Sequence, residues 1–106
     1  MITNTISNIV RPQGKKNDNG KNRLDLICPE FIEAVGEVLT FGAEKYEPNS
    51  WQNIEDGANR YYAAAMRHLI AWRKGELTDP ESGLSHLAHV ACNMMFLSFY
   101  ENKETK

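Results

Sequence analysis

Apolar side chains recur along this chain at the three-to-four-residue spacing of amphipathic helices, in three separate stretches. The first is expected to begin near Pro29, because proline suits the first helical turn. Phe31, Val35, Val38, Leu39, Gly42 and Tyr46 mark one face, and Glu30, Glu33, Glu37, Thr40 and Glu44 the opposite one. EPNS at 47–50 ends the stretch with loop chemistry, and Trp51 follows in that loop. The second runs from Gly57 to Lys74, with Gly75 placed to stop it. Tyr62, Met66 and Leu69 form an apolar stripe; Tyr61, Ala65, His68 and Trp72 form a mixed stripe beside it; Arg60, Arg67 and Lys74 line a third face. Asp79-Pro80 is expected to open the third helix, as an N-cap followed by proline. Leu84, Leu87, Ala88, Ala91 and Met95 give its main apolar face, and it is expected to fray after Tyr100.

RLDLI at 23–27 reads as a short extended piece, and nothing else resembles a strand. Residues 1–22, rich in Asn, Lys and Gly, bury too little apolar surface to order themselves. The expected fold is therefore all-α: a three-helix unit, 23–101, with an extended basic arm, 1–22, and a frayed tail, 102–106. A single short domain buries a modest share of its surface, so completion of the bundle by oligomerisation is expected.

One stretch breaks the apolar pattern. In HLAHVACN, His86, His89 and Asn93 stand at i, i+3 and i+7, which places them within roughly 60° of helical arc. Phe96, Leu97 and Tyr100 continue the same side, so this polar stripe does not simply face water. A buried polar group costs free energy unless it finds a partner. The stripe is thus either a satisfied structural network or the lining of a site. Two imidazoles one turn apart can share a metal, or bond a base edge or a phosphate.

Charge sharpens the picture. Residues 1–23 carry five basic side chains and one acidic one, and the rest carries seven basic and thirteen acidic. A basic arm on an acidic body can reach for phosphate or be a solvated tail. No apolar run approaches the ~20 residues of a membrane span, and the stretch MITNTISNIVRPQGKK lacks the apolar h-region of a secretory signal. Cys28 and Cys92 lack zinc-knuckle spacing and read as buried thiols of a reducing compartment.

Glu33, Glu37 and Glu44 stack on one helix face, where they can hold magnesium or simply meet solvent. Glu76, Asp79 and Glu81 surround the second loop, within possible reach of His86. Arg60 and Arg67 are anchored phosphate candidates, since a guanidinium grips phosphate in bidentate fashion. Lys21 and Arg23 follow Gly20 but match no P-loop pattern. Trp51, Tyr61, Tyr62 and Trp72 can stack a nucleobase or build core. An acidic body with no basic groove argues against nucleic acid.

The phrases GKNRLDLICPE, LTFGAEKYEPNSW, RYYAAAMRHLIAWRKGE and DPESGLSHLAHVACNMMFL, in that order, resemble the phage-associated dATP/dGTP diphosphohydrolase N-terminal family, over about residues 14–100. The resemblance implies removal of pyrophosphate from purine deoxynucleoside triphosphates, in phage nucleotide metabolism within the host cytoplasm. It also implies kinship with all-α MazG-like pyrophosphohydrolases, which use magnesium or manganese. Those enzymes hold metal with ExxE on one helix and ExxD on another. Here Glu30 and Glu33 have the first spacing, but the place for ExxD reads His86-Leu-Ala-His89.

Two functions are expected from this reading. In the first, the chain hydrolyses a purine nucleotide with Mg2+ or Mn2+ held by a subset of Glu37, Glu44, Asp79, Glu81, His86 and His89. His86, His89, Asn93 and Glu81 are its catalytic candidates. Lys21, Arg23, Lys45, Arg60, Arg67 and His68 are its substrate-binding candidates, with Trp51 or Trp72 against the base. In the second, the chain binds a nucleotide without hydrolysing it, to sequester it or to regulate a partner enzyme. Both take a purine nucleotide as ligand and a homo-oligomer as the working form, with no membrane.

Overall fold

The computed structural model describes residues 12–104. Three helices carry the fold: α1 Pro29–Lys45, α2 Gly57–Arg73 and α3 His86–Glu104. Among the described residues the only β-pairing is an isolated bridge between Thr78 and Ser85, so the chain is all-α. No helix is long and apolar enough to cross a membrane among them. The part of the basic arm at 1–11 lies outside the described residues, as do 105 and 106; 12–22 are exposed and carry only a turn at Asn19–Gly20.

Local chemistry sets the helix ends. Pro29 sits in the first turn of α1, behind an extended Cys28. α2 ends in a Schellman motif: Gly75 N–H donates to the Trp72 carbonyl, Glu76 N–H donates to the Ala71 carbonyl, and Gly75 takes a φ of +104°. RLDLI is not extended: Leu24–Leu26 form one 3-10 turn, closed by the Ile27 N–H on the Leu24 carbonyl. Trp51 likewise stands in a 3-10 turn, Ser50–Asn53.

Asp79-Pro80 does not open α3. Asp79 closes a tight loop instead, its Oδ2 accepting from the Glu81 and Ser82 amides at 3.1 and 2.9 Å. Asp79 N–H donates to the Leu84 carbonyl and His86 N–H to the Leu77 carbonyl, which ties the loop base together. The cap of α3 is Ser85, whose Oγ accepts from the amides of Leu87 and Ala88. At its other end α3 continues past Tyr100 to Glu104.

α3 is central and packs against both α2 and α1. Val38, Ala88 and Cys92 form the buried cluster, flanked by Ala34, Val35, Leu39, Leu84 and Phe96. Which faces turn inward is the main difference from the hydrophobic pattern. On α2 the mixed stripe turns in, with Ala65 buried and His68 half-buried, while Tyr62, Met66 and Leu69 are exposed. On α3 Leu87 and Met95, of the expected apolar face, are exposed, and His86 and Asn93 are buried. The imidazoles can go inside because they satisfy one another: no buried side-chain nitrogen or oxygen among the described residues lacks a hydrogen-bond partner.

Candidate functional site

Three imidazoles meet where α2 faces the start of α3. His68 Nδ1 lies 2.8 Å from His86 Nδ1, and the His68 ring stacks on His89 at 4.3 Å with the planes 7° apart. The far side of His86, its Nε2, meets Glu76 Oε1 at 2.8 Å. His89 Nε2 meets Ser82 Oγ at 2.8 Å. Asp79 Oδ1 stands 4.0 Å from His68 Nδ1. The helical register supplies His86 and His89 one turn apart; the Asp79–Ser85 loop folds back to deliver Asp79 and Ser82 to them.

Electrostatics follow from this packing. Burial, and then the neighbouring His89 ring, holds His68 below the ordinary imidazole range. Burial does the same to His89. Burial works to raise the Asp79 carboxyl, yet the Ser82 amide and the His89 and His68 rings outweigh it and hold it below the usual range. The packing therefore favours neutral His68 and His89 beside an ionised Asp79, groups able to ligate a metal.

Beside this cluster opens a cleft of about 880 Å³, inside the ~300–1,000 Å³ range of small-molecule sites. The second half of α1 forms one wall, α2 and α3 the other, and the Tyr46–Trp51 connection one end. Glu44, Lys45, Trp51, Arg67, His68, Glu81, His89 and Asn93 all line it. Lys45 Nζ is paired with Glu81 Oε2 across the cleft mouth, a contact that raises the lysine pKa. Trp51 stacks on Phe96 at 4.6 Å and meets Phe99 edge-on at 5.1 Å. Asn93 is turned back on its own helix, its Nδ2 donating to the His89 carbonyl at 2.9 Å.

The other expected residues lie elsewhere. His86 is only 2% exposed and sits behind His68, away from the cleft wall, so it has no direct access to a ligand there. Asp79 is with it. Arg23 is exposed and engages Asp25 through two hydrogen bonds, at 2.9 and 2.8 Å. Lys21 is on the exposed arm, Arg60 is exposed with its guanidinium toward the Glu55 carbonyl, and Glu37 is exposed outside the cleft. Trp72 is half-buried and does not line the cleft. Of the three loop acids, Glu76 and Asp79 join the imidazoles, whereas Glu81 goes to Lys45.

Ser82 was not legible in advance. Its link to His89 exists because of the loop's fold, and no helical spacing relates the two. Tyr61 was legible only as one aromatic among several; it packs on Phe96 at 4.8 Å and lines the cleft, and burial raises its phenol pKa.

A family model described as dATP/dGTP diphosphohydrolase, N-terminal, matches residues 11–106. A protein of Salmonella phage PMBT28 named dATP/dGTP diphosphohydrolase is 39% identical over 89 residues, which is 84% of this chain and 30% of that relative. The chain thus spans less than a third of the relative's length. No solved structure matches.

Proposed function

The chain belongs to the dATP/dGTP diphosphohydrolase N-terminal family, and from that premise we propose that its cleft takes a purine deoxynucleoside triphosphate and hydrolyses it to monophosphate and pyrophosphate. One observation carries the reading. A single cleft gathers cations, carboxylates, imidazoles and aromatic rings, among them Lys45 and Arg67, Glu44 and Glu81, His68 and His89, Trp51 and Tyr61. Phosphates, a divalent ion, a transferable proton and a base each find a suitable group.

Arg67 grips the phosphates in bidentate fashion and Lys45 adds a point charge. The purine packs against the Trp51 and Tyr61 edge of the cleft. The family implies magnesium or manganese, and the donor chemistry fits: Glu44 and Glu81 offer the carboxylate oxygens a hard cation takes. When bound, that ion offsets phosphate charge and activates water. His89, oriented by Ser82 Oγ, accepts the water's proton. Binding requires Lys45 to exchange Glu81 for phosphate, which frees Glu81 for the ion. Acting on nucleotide pools, the chain works in the cytoplasm of the infected bacterium, as a self-associated form joined through the exposed stripe of Tyr62, Met66, Leu69 and Ile70.

A second reading is favoured by the burial of His86, a catalytic candidate with no access to the cleft: the cleft holds the nucleotide and does not hydrolyse it. The test is incubation of the purified chain with dATP, dGTP and their ribo counterparts, with Mg2+ or Mn2+, followed by denaturation and chromatography. Monophosphate and pyrophosphate at many turnovers per chain, lost in Arg67→Ala, are expected. Intact nucleotide throughout would reject hydrolysis and leave the binding reading.

A further inference from the structure

His68 in the cleft wall on α2, and Asp79 in the loop and His86 on α3 behind it, present one ligand atom each, all within 4.8 Å of one another. We propose that these three side chains form a separate site for a borderline transition-metal ion of the zinc type, which staples α2, the loop and α3 together. The site does not rest on the nucleotide reading, because its ligands are distinct from the cleft carboxylates.

The hydrogen bonds prepare each ligand atom. Glu76 accepts at His86 Nε2, which places the ring's proton there and leaves the Nδ1 lone pair facing His68. A carboxylate behind an imidazole is the usual outer partner of a metal-bound histidine: it fixes the tautomer and raises the ring's basicity. Asp79 uses Oδ2 for the Glu81 and Ser82 amides, so that oxygen is anchored while Oδ1 points toward His68. Without an ion, one proton between the two Nδ1 atoms explains their 2.8 Å approach. When an ion binds, His68 changes tautomer: its single ring proton passes through solvent from Nδ1 to Nε2, and the freed Nδ1 lone pair faces the ion.

The donor set selects the ion. Two imidazole nitrogens and one carboxylate oxygen suit zinc, cobalt or manganese and suit magnesium poorly. With bonds near 2.0–2.2 Å, tetrahedral ligand atoms stand roughly 3.3–3.6 Å apart. The imidazoles must therefore separate slightly from 2.8 Å and the carboxylate close from 4.0 Å, both within reach of side-chain rotation. Three protein ligands leave a fourth position for water. Because the loop also carries Ser82 to His89 and Glu81 to Lys45, an ion here fixes two groups of the cleft wall at once.

The test uses Co2+ as a visible probe on the metal-free purified chain. Expected are one Co2+ per chain with the absorption of a low-symmetry, four-coordinate site, displacement by Zn2+, and indifference to excess Mg2+. His86→Ala and Asp79→Asn should each weaken uptake at least tenfold, and Glu76→Gln by roughly 10–100-fold. Glu44→Gln and Glu81→Gln should bind Co2+ as the wild type does, which separates this site from a cation held in the cleft. Zn2+ should raise Tm in the wild type and leave His86→Ala unmoved. If His86→Ala fails to fold by circular dichroism, His68→Gln takes its place. Failure to take up stoichiometric Co2+, uptake unaffected by either ligand variant, or uptake lost in Glu81→Gln would each overturn the proposal.

Discussion

The ring of Tyr100 occupies the space a side chain on Gly57 would need: a β-carbon there would stand 2.5 Å from Tyr100 Cζ and 2.6 Å from its hydroxyl. That closeness lets the hydroxyl accept from the Ile54 amide at 2.9 Å and donate to the Trp51 carbonyl at 2.7 Å. One phenol thus fastens the Trp51 turn and the start of α2 to α3. Gly57→Ala should cost about 1–3 kcal/mol through overpacking. Tyr100→Phe should cost about 1–3 kcal/mol by leaving the Ile54 amide without its acceptor. Chemical denaturation of the two variants checks both values.

Ser85, not Asp79, starts α3. Its Oγ takes the amides of Leu87 and Ala88 at 3.1 and 3.3 Å. Ser85→Ala should lower stability by about 1 kcal/mol, and Ser85→Asp should restore most of the loss, because both caps accept the same amides. Thermal unfolding of the pair decides it. Equal Tm values for Ser85→Ala and wild type would remove this cap from the account.

The two thiols should differ sharply. Cys28 is exposed and Cys92 is buried, its thiol pushed up to about 11 by that burial. At pH 8 only about one Cys92 in a thousand is the reactive thiolate. A chromogenic disulfide reagent should label one thiol per chain quickly under native conditions and two in denaturant. Since the raised pKa withholds the thiolate, the slow phase should quicken as pH climbs toward 11.

Helix number and most helix limits were legible because spacing, Pro29 and Gly75 act locally. The inward faces were not. Hydrophobicity favours burying Tyr62, Met66 and Leu69, yet α2 buries Ala65 and turns His68 inward. The deciding terms are tertiary: small residues let α2 and α3 approach, and each imidazole finds a partner only on another element. The same holds for the site. The His86/His89 spacing announced polar chemistry, but their different fates, one sealed against Glu76 and one lining the cleft, depend on a loop fold with no periodic signature. Asp79-Pro80 was misleading because an aspartate that caps a turn and one that caps a helix accept the same kind of amide.

The outward stripe has its own consequence. Tyr62, Met66, Leu69 and Ile70 are between 38% and 57% exposed along one side of α2. Sedimentation should show a particle larger than one 12.1 kDa chain. Met66→Glu combined with Ile70→Glu should shift it to the single chain without loss of helix content. A wild type that sediments as a single chain at high concentration would remove self-association through this face.

The central claim is that the cleft between α1 and the α2–α3 pair takes a purine nucleotide. Calorimetric titration of dGTP, with Mg2+ present, into the wild type, Lys45→Ala and Arg67→Ala tests it most directly. The account predicts one site per chain in the wild type and an affinity at least tenfold weaker in each variant, about 1.4 kcal/mol. Binding that is absent from the wild type, or equal in all three proteins, would contradict it.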